Sequence, residues 1–250
     1  MSVTSRVPET AGAAEGPAGL DPPGAEAADT AASPPLRVHY EDASVLVLDK
    51  PAGLLSVPGR GPEGMRALSV HAAQRWPDAL VVHRLDMATS GLIVLARGPT
   101  AQRRLSLAFA QRAVRKRYEA LVSGHLSAPS EHDDGWGLID LPLIPDWPNR
   151  PKSRVDFEVG KPSRTRWQVR AHEWLRGQPV TRLRLEPITG RSHQLRVHLL
   201  ALGHPIVGDA LYAPPDLLGL APRLLLHATE LDFPHPESGE RLRFTSRPPF

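Results

Sequence analysis

The 250-residue chain contains no cysteine, which excludes disulfides, thiolate metal ligands, iron–sulfur clusters and cysteine nucleophiles. No apolar run approaches the roughly 20 residues of a membrane helix, and the N-terminus lacks the basic-then-apolar order of a signal peptide. A cytoplasmic protein is expected. No Gly-x-Ser-x-Gly elbow occurs. Gly59-Arg60-Gly61-Pro62-Glu63-Gly64 lacks the lysine and hydroxyl of a phosphate-binding P-loop and reads as a flexible loop. Lysine is scarce as well: only Lys50, Lys116, Lys152 and Lys161 among 30 basic residues. Chemistry is left to carboxylates, histidines, hydroxyls and arginines.

What is present begins with a 41% apolar content, enough for one large domain or two small ones. Residues 1 to 35 carry five acids and one base in an Ala/Gly/Pro-rich context. They have almost no aliphatic periodicity to offset folding entropy, so a disordered low-complexity tail is expected. Without them, 29 basic residues face 22 acidic ones, a net +7. Of all 30 basic residues 26 are arginines, whose planar fork suits phosphates and stacks on bases, so an anionic polymer is a reasonable partner. A solvated arginine-rich surface reads the same way.

Leu36–Tyr40 and Val45–Asp49, joined by Glu41-Asp42-Ala43-Ser44, read as a β-hairpin ended by Lys50-Pro51-Ala52-Gly53. Further strands are expected at 92–96, 118–123, 165–171 and 181–185, and helices at about 65–76, 100–112 and 192–202, the last stopped by Gly203. Strands outnumber helices without alternating with them, which predicts an α+β fold around a mixed or antiparallel sheet. Four prolines between Leu141 and Lys161 predict an ordered surface loop carrying Trp147, Asn149, Arg150, Lys152 and Arg154.

Three clusters can carry chemistry. In His83-Arg84-Leu85-Asp86-Met87-Ala88-Thr89-Ser90-Gly91, Asp86 stands at a loop–strand junction, rigid yet reachable. It reads either as a carboxylate accepting backbone N–H groups in an Asx turn with Thr89 and Ser90, or as a reactive group. Thr189-Gly190-Arg191-Ser192-His193-Gln194-Leu195-Arg196-Val197-His198 places arginines at a helix start suited to phosphate, with Leu195, Leu199 and Leu202 facing the core. His193, His198 and His204 are five and six apart, so they do not stack on one helical face and no metal is expected. The third cluster is Arg103, Arg104, Arg112, Arg115, Lys116 and Arg117 leading into Tyr118, cations for phosphates beside a ring for a base.

Together these segments resemble the RluA-type pseudouridine synthases. The resemblance rests on His83-Arg84-Leu85-Asp86 with Thr89-Ser90-Gly91-Leu92, on Lys50-Pro51-Ala52-Gly53, Arg117-Tyr118, the 189–198 segment and Gly203-His204-Pro205-Ile206-Val207-Gly208-Asp209. It spans residues 36 to 250, implying one catalytic domain without the N-terminal S4 domain of many relatives, so that this domain itself recognises RNA. Residues 54–60 and 146–152 resemble most the dual-specificity branch acting on 23S rRNA and tRNA. The family implies a central, mostly antiparallel sheet with flanking helices and an RNA-binding cleft, no metal or cofactor, and a monomer. It makes Asp86 the nucleophile, pairs Arg196 with it, sets Tyr118 against the base and gives Arg84 the space left by a flipped nucleotide. Arg191, His193, Arg115, Lys116, Arg117, Arg150 and Lys152 are the expected RNA contacts. The substrates implied are a tRNA anticodon stem-loop and a 23S rRNA hairpin loop, another rRNA uridine being the alternative. Rivals of other classes are a noncatalytic RNA-binding protein on this fold and a hydrolase using His83 with Asp86.

Overall fold

The computed structural model describes residues 36–59, 61, 66–129 and 134–250. The expected tail, most of the glycine loop at 59–64 and the expected helix start at residue 65 lie outside these residues. Sixteen elements follow in order: β1 (Arg37–Glu41), β2 (Val45–Lys50), α1 (Leu68–Arg75), β3 (Ala79–Val81), β4 (Ser90–Arg97), α2 (Gly98–Ala110), β5 (Arg115–Ser123) and β6 (Gly137–Asp140), then β7 (Leu143–Pro145), β8 (Ser153–Val155), β9 (Arg164–Leu175), β10 (Gln178–Pro187), α3 (Gln194–Ala201), α4 (Pro215–Leu218), β11 (Leu226–Pro234) and β12 (Arg241–Thr245).

Among the described residues ten strands form one sheet in the order β1-β2-β4-β11-β5-β10-β9-β6, with β3 added on β4 and β12 on β11. Every pairing in it is antiparallel except β4 with β11. That parallel seam demands glycine. Gly91 has φ +109°, and a Cβ there would run into the backbone of Ala228 on β11.

The runs Val45–Leu48 and Leu92–Leu95 are apolar without alternation because both faces of β2 and β4 are covered. Val45, Val47, Leu92 and Val94 pack with Ala101 and Leu105 of α2. Leu46, Leu48, Ile93 and Leu95 pack with Leu68 and Ala72 of α1. At roughly 1.5–3 kcal/mol per fully buried aliphatic side chain, these layers supply much of the folding drive. β10 behaves differently: Thr181, Leu183 and Leu185 are buried, the two leucines packing in one cluster with Leu195 and Leu199 of α3, while Arg182 and Arg184 face outward, as the alternation predicts.

Two expectations need correction. The 141–161 segment is not a plain loop, since β7 and β8 pair antiparallel with a 3-10 turn, Trp147–Asn149, between them. β11 was not anticipated, yet it is central; its alternation of Leu226 and Ala228, then Leu231 and Phe233, with polar residues slips by one at the irregularity between Ala228 and Glu230, which breaks the period of two. Gly203 follows α3 with φ +81°, as expected of a left-handed stop.

Two histidines tie the sheet together in neutral form. The Val94 N–H donates to His83 Nε2 (3.1 Å) and the ring stacks on Phe109; burial, then the charge of Lys116, lowers its pKa to about 3. Burial likewise brings His227 down to about 4. Both folded values lie below the unfolded one of about 6.5, so the unfolded chain binds more protons between them. Stability is fully present above pH 6.5 and is expected to fall as pH drops towards 4, by about 1.4 kcal/mol per pH unit for each histidine. Urea melts at pH 7 and pH 5 read this out; a His83→Gln variant should lose about half of the slope.

Candidate active site

An open cleft of about 1320 Å³ lies over the seam, walled by residues 82–89, the 187–196 segment, Lys116 and Tyr118 of β5, and residues 222–224. Asp86 enters it from the loop before β4. The backbone on both sides of Asp86 is clamped by residues 50–56. Ser56 Oγ donates to Leu85 O (2.7 Å) and accepts the Leu85 N–H (3.0 Å). On the other side, the Gly53 N–H (2.8 Å) and Lys50 Nζ (3.0 Å) both donate to Met87 O.

Lys50 is fully buried, with Pro51 O and Leu54 O as its other acceptors. Burial draws its pKa down to about 7, against the charge of Asp86. Three carbonyl acceptors for three ammonium donors make this lysine a rivet. Sequence reading quoted it as the end of a hairpin and within a segment of the family resemblance but gave it no role; a lysine closing an otherwise buried strand was the available signal.

The Asx-turn alternative for Asp86 does not hold. The Thr89 N–H bonds the Asp86 carbonyl (3.1 Å), not its carboxylate. The side chain remains 30% exposed to the cleft, with Oδ2 3.6 Å from Arg196 Nη1 and 4.0 Å from His193 Nε2. His83 is spent on Val94, which removes the His83–Asp86 hydrolase pair.

Arg196, in the first turn of α3, is nearly fully buried and forks onto Asp209, Nε to Oδ2 at 2.7 Å and Nη2 to Oδ1 at 2.6 Å. Burial opposes its charge, but Asp209 and then Asp86 more than offset this and raise its pKa. The expected Asp86 pairing is thus the weaker half of a triad whose bidentate half is Asp209, a residue present in a quoted motif but given no role. Asp209 Oδ1 also accepts the N–H groups of Leu211 and Tyr212. The Tyr212 hydroxyl in turn accepts the Ser153 N–H (2.7 Å) and meets His193 Nδ1 at 2.8 Å. His193 is held neutral by burial, against Asp86. The orientation of His193, with φ +55°, is therefore fixed from two directions.

Strand alternation divides the basic run. Lys116 and Tyr118 face the cleft, whereas Arg117 points to the opposite face and pairs with Glu186 and Glu230, each at 3.1 Å. Arg115, two residues away, shares that side and is exposed. The pair is thereby separated from the cleft it was expected to serve. Arg84, Arg112 and Arg191 line the cleft. Arg150 stacks over the exposed Trp147, and it and Lys152 flank Pro151, which reaches the cleft wall. Gln194 Oε1 takes the Arg191 N–H (3.0 Å), so that donor is committed within the loop. His198 turns to Thr165 and Leu141, and His204 to Ser123. Among the described residues no group of three or more His, Cys, Asp or Glu side chains gathers to hold a metal ion, nor is any helix long and apolar enough to cross a membrane.

Tyr118 is partly buried beside Asp86; burial and then the Asp86 charge raise its pKa. In the free protein its hydroxyl keeps its proton. The site thus offers an oriented carboxylate backed by a buried guanidinium, a protonated tyrosine and a cationic rim.

A match to the RNA pseudouridylate synthase family covers residues 44–201. The chain is 50% identical over 207 residues to the dual-specificity RNA pseudouridine synthase RluA of Yersinia pestis, covering 83% of this chain and 96% of that one. It is also 50% identical over 211 residues to the Escherichia coli K12 protein of the same name, covering 84% and 92%. The solved structure of human RNA Pseudouridylate Synthase Domain Containing 1 superimposes with a TM-score of 0.72 at 30% identity, over 86% of this chain and 84% of that one. With its motifs gathered at one cleft and 50% identity to the RluA proteins over more than four fifths of its length, the chain belongs to the RNA pseudouridylate synthase family and is an RNA pseudouridine synthase, an isomerase.

Proposed function

We propose that the enzyme isomerises loop uridines in two RNA classes, a tRNA anticodon stem-loop and a 23S rRNA hairpin, with Asp86 as nucleophile. The observation that carries the catalytic part is the clamped, cleft-facing Asp86 carboxylate beside Arg196. The dual-specificity names of relatives at 50% identity support two RNA classes. Loops are favoured over stems because flipping a poorly stacked uridine costs less of the few kcal/mol that extrusion requires.

In this reading the target nucleotide flips into the cleft, and Arg84 fills the space it leaves. Arg196 holds Asp86 in line from 3.6 Å. Asp86 attacks, the N1–C1′ bond breaks, and the uracil turns and rejoins through C5 as the bond to Asp86 is released. Arg191, His193 and Lys116 hold the nucleotide from the cleft walls, and Arg150 and Lys152 meet the flanking strand. Arg115 and Arg117, on the other face of β5, have no part in the cleft; Arg117 serves the sheet through its glutamates.

The C5 proton needs an acceptor. Once Asp86 is bonded to substrate its negative charge is gone, and with it one of the two causes that raise the Tyr118 pKa. The Tyr118 hydroxyl then ionises more readily: it passes its own proton to the N1 that the broken N1–C1′ bond leaves anionic, and the phenolate so formed takes the C5 proton. Tyr118→Phe keeps the ring and removes only the hydroxyl; turnover is expected to fall about a hundredfold with RNA affinity unchanged. Full activity would leave the tyrosine a stacking role alone.

Pseudouridine mapping of total RNA from cells with and without the gene tests the whole reading. Loss of one tRNA site and one 23S rRNA site is expected. Loss confined to a different rRNA uridine would replace the substrate assignment, and an unchanged map would refute the function in the cell.

A further inference from the structure

The cleft has a cation that the mechanism above leaves unused. Arg223, in the segment leading into β11, contributes to the wall of the cleft. Its Nη2 donates to Ser90 Oγ at 2.5 Å and its Nε to Leu224 O at 3.1 Å. Among the described residues no carboxylate pairs with it, and its charge reaches Lys50, the rivet behind Asp86. Burial without an acid partner disfavours its charge. A half-buried guanidinium with no neutralising partner has lost part of its hydration and is stabilised when something anionic joins it.

The aim of this group is built from behind. Ser90 Oγ lies 2.7 Å from His227 Nδ1, His227 Nε2 lies 3.0 Å from Ser246 Oγ, and Ser246 Oγ donates to Asp49 Oδ2 at 2.6 Å. Ser90, His227 and Ser246 are all buried. Because Asp49 only accepts, Ser246 must take its own bond from the Nε2–H of His227. The neutral ring then accepts at Nδ1 from the Ser90 hydroxyl, which leaves Ser90 Oγ free to accept from Arg223. Every bond runs one way, from Arg223 to Asp49, across four strands or strand ends brought together by the parallel seam. Asp49 polarises the chain without touching the guanidinium, so Nη1, for which no partner is found among the described residues, keeps its charge for the cleft.

We propose that Arg223 is a further substrate-contact residue, binding an anionic oxygen of the target nucleotide through the Nη1 edge of its guanidinium, whose face lies 5.9 Å from the Phe250 ring. This rests on the reading that the cleft takes a flipped uridine. Two oxygens share that chemistry: a non-bridging phosphate oxygen of the target nucleotide, and the uracil oxygen that gains charge when the N1–C1′ bond breaks. The two differ in when the charge exists. A phosphate is anionic throughout and contributes to binding, whereas the uracilate is anionic only during reaction and contributes to kcat.

The test measures kcat, KM and the salt dependence of RNA binding for wild type, Arg223→Gln and Arg223→Lys, with thermal melts for each. A phosphate contact predicts that Arg223→Gln binds more weakly, with the log–log salt slope shallower by about 0.7–0.9 and kcat retained. A uracilate contact predicts a kcat loss of about tenfold or more with the slope unchanged. Arg223→Lys should regain part of whichever parameter moved. Wild-type values in Arg223→Gln, or a lysine variant as defective as the glutamine one while both remain folded, would overturn the proposal. Should Arg223→Gln not fold, Ser90→Ala carries the test, because it leaves the cation and removes its aim. It should shift the same parameter by a smaller factor, and wild-type behaviour there overturns the proposal equally. A wild-type protein that makes no pseudouridine would instead refute the functional reading, whereas an Arg223→Gln variant with wild-type kcat, KM and salt slope refutes only this contact.

Discussion

Asp86→Asn is expected to remove pseudouridine formation, by about 10⁴-fold or more, while RNA affinity stays within about tenfold. The amide matches the carboxylate in size and keeps the clamps on Leu85 and Met87, which are backbone contacts. What it lacks is the negative oxygen. Stability should change by no more than about 1 kcal/mol, because Asp86 is partly solvated and only 3.6 Å from one Arg196 nitrogen. Arg196 retains its bidentate partner in Asp209. Tritium release from RNA labelled at uridine C5 reads the turnover, and a filter-binding titration reads the affinity. Retained turnover would remove Asp86 as nucleophile.

Asp209→Asn should behave in the opposite sense, losing stability as well as activity. Asn can still accept the Leu211 and Tyr212 N–H groups through Oδ1. Its Nδ2, however, presents hydrogens to the Arg196 Nε–H, donor against donor. The guanidinium is nearly sealed from water, so removing one partner of this pair is expected to cost about 3–5 kcal/mol. Asp86 is then the only carboxylate left to it. Arg196 should swing towards Asp86, drawing the nucleophile out of line and reducing kcat in the fraction that still folds. Urea denaturation gives the stability change, and kcat per folded molecule gives the catalytic one. Wild-type stability would mean that Asp209 is not what keeps Arg196 charged and buried.

These variants separate two carboxylates that composition cannot tell apart. Asp86 stood out in the sequence because its neighbours form a polar, recognisable segment before a strand. Asp209 sat in a quoted segment with no distinguishing chemistry of its own, since its role comes from a guanidinium 13 residues earlier that folding turns back onto it. Arg117 shows the converse. Its place in a basic run suggested RNA, but one step along a strand sends it to the other face of the sheet and onto Glu186 and Glu230. The 141–161 segment was misread for a local reason: prolines and polar residues mask a three-residue ladder whose pairing is carried by backbone.

By itself the sequence determined the α+β class, the first hairpin, the alternating face of β10 and the glycine stop after α3. Each depends on spacing or residue type within a short window, which local periodicity and turn chemistry control. Only the tertiary structure decided the rest: the parallel seam joining Ser90 to His227, the carboxylate that shares Arg196, the side of the sheet each arginine serves, and the buried chain that aims Arg223. Those depend on which distant strands become neighbours, and that is settled by global burial and by the need to satisfy every buried polar group.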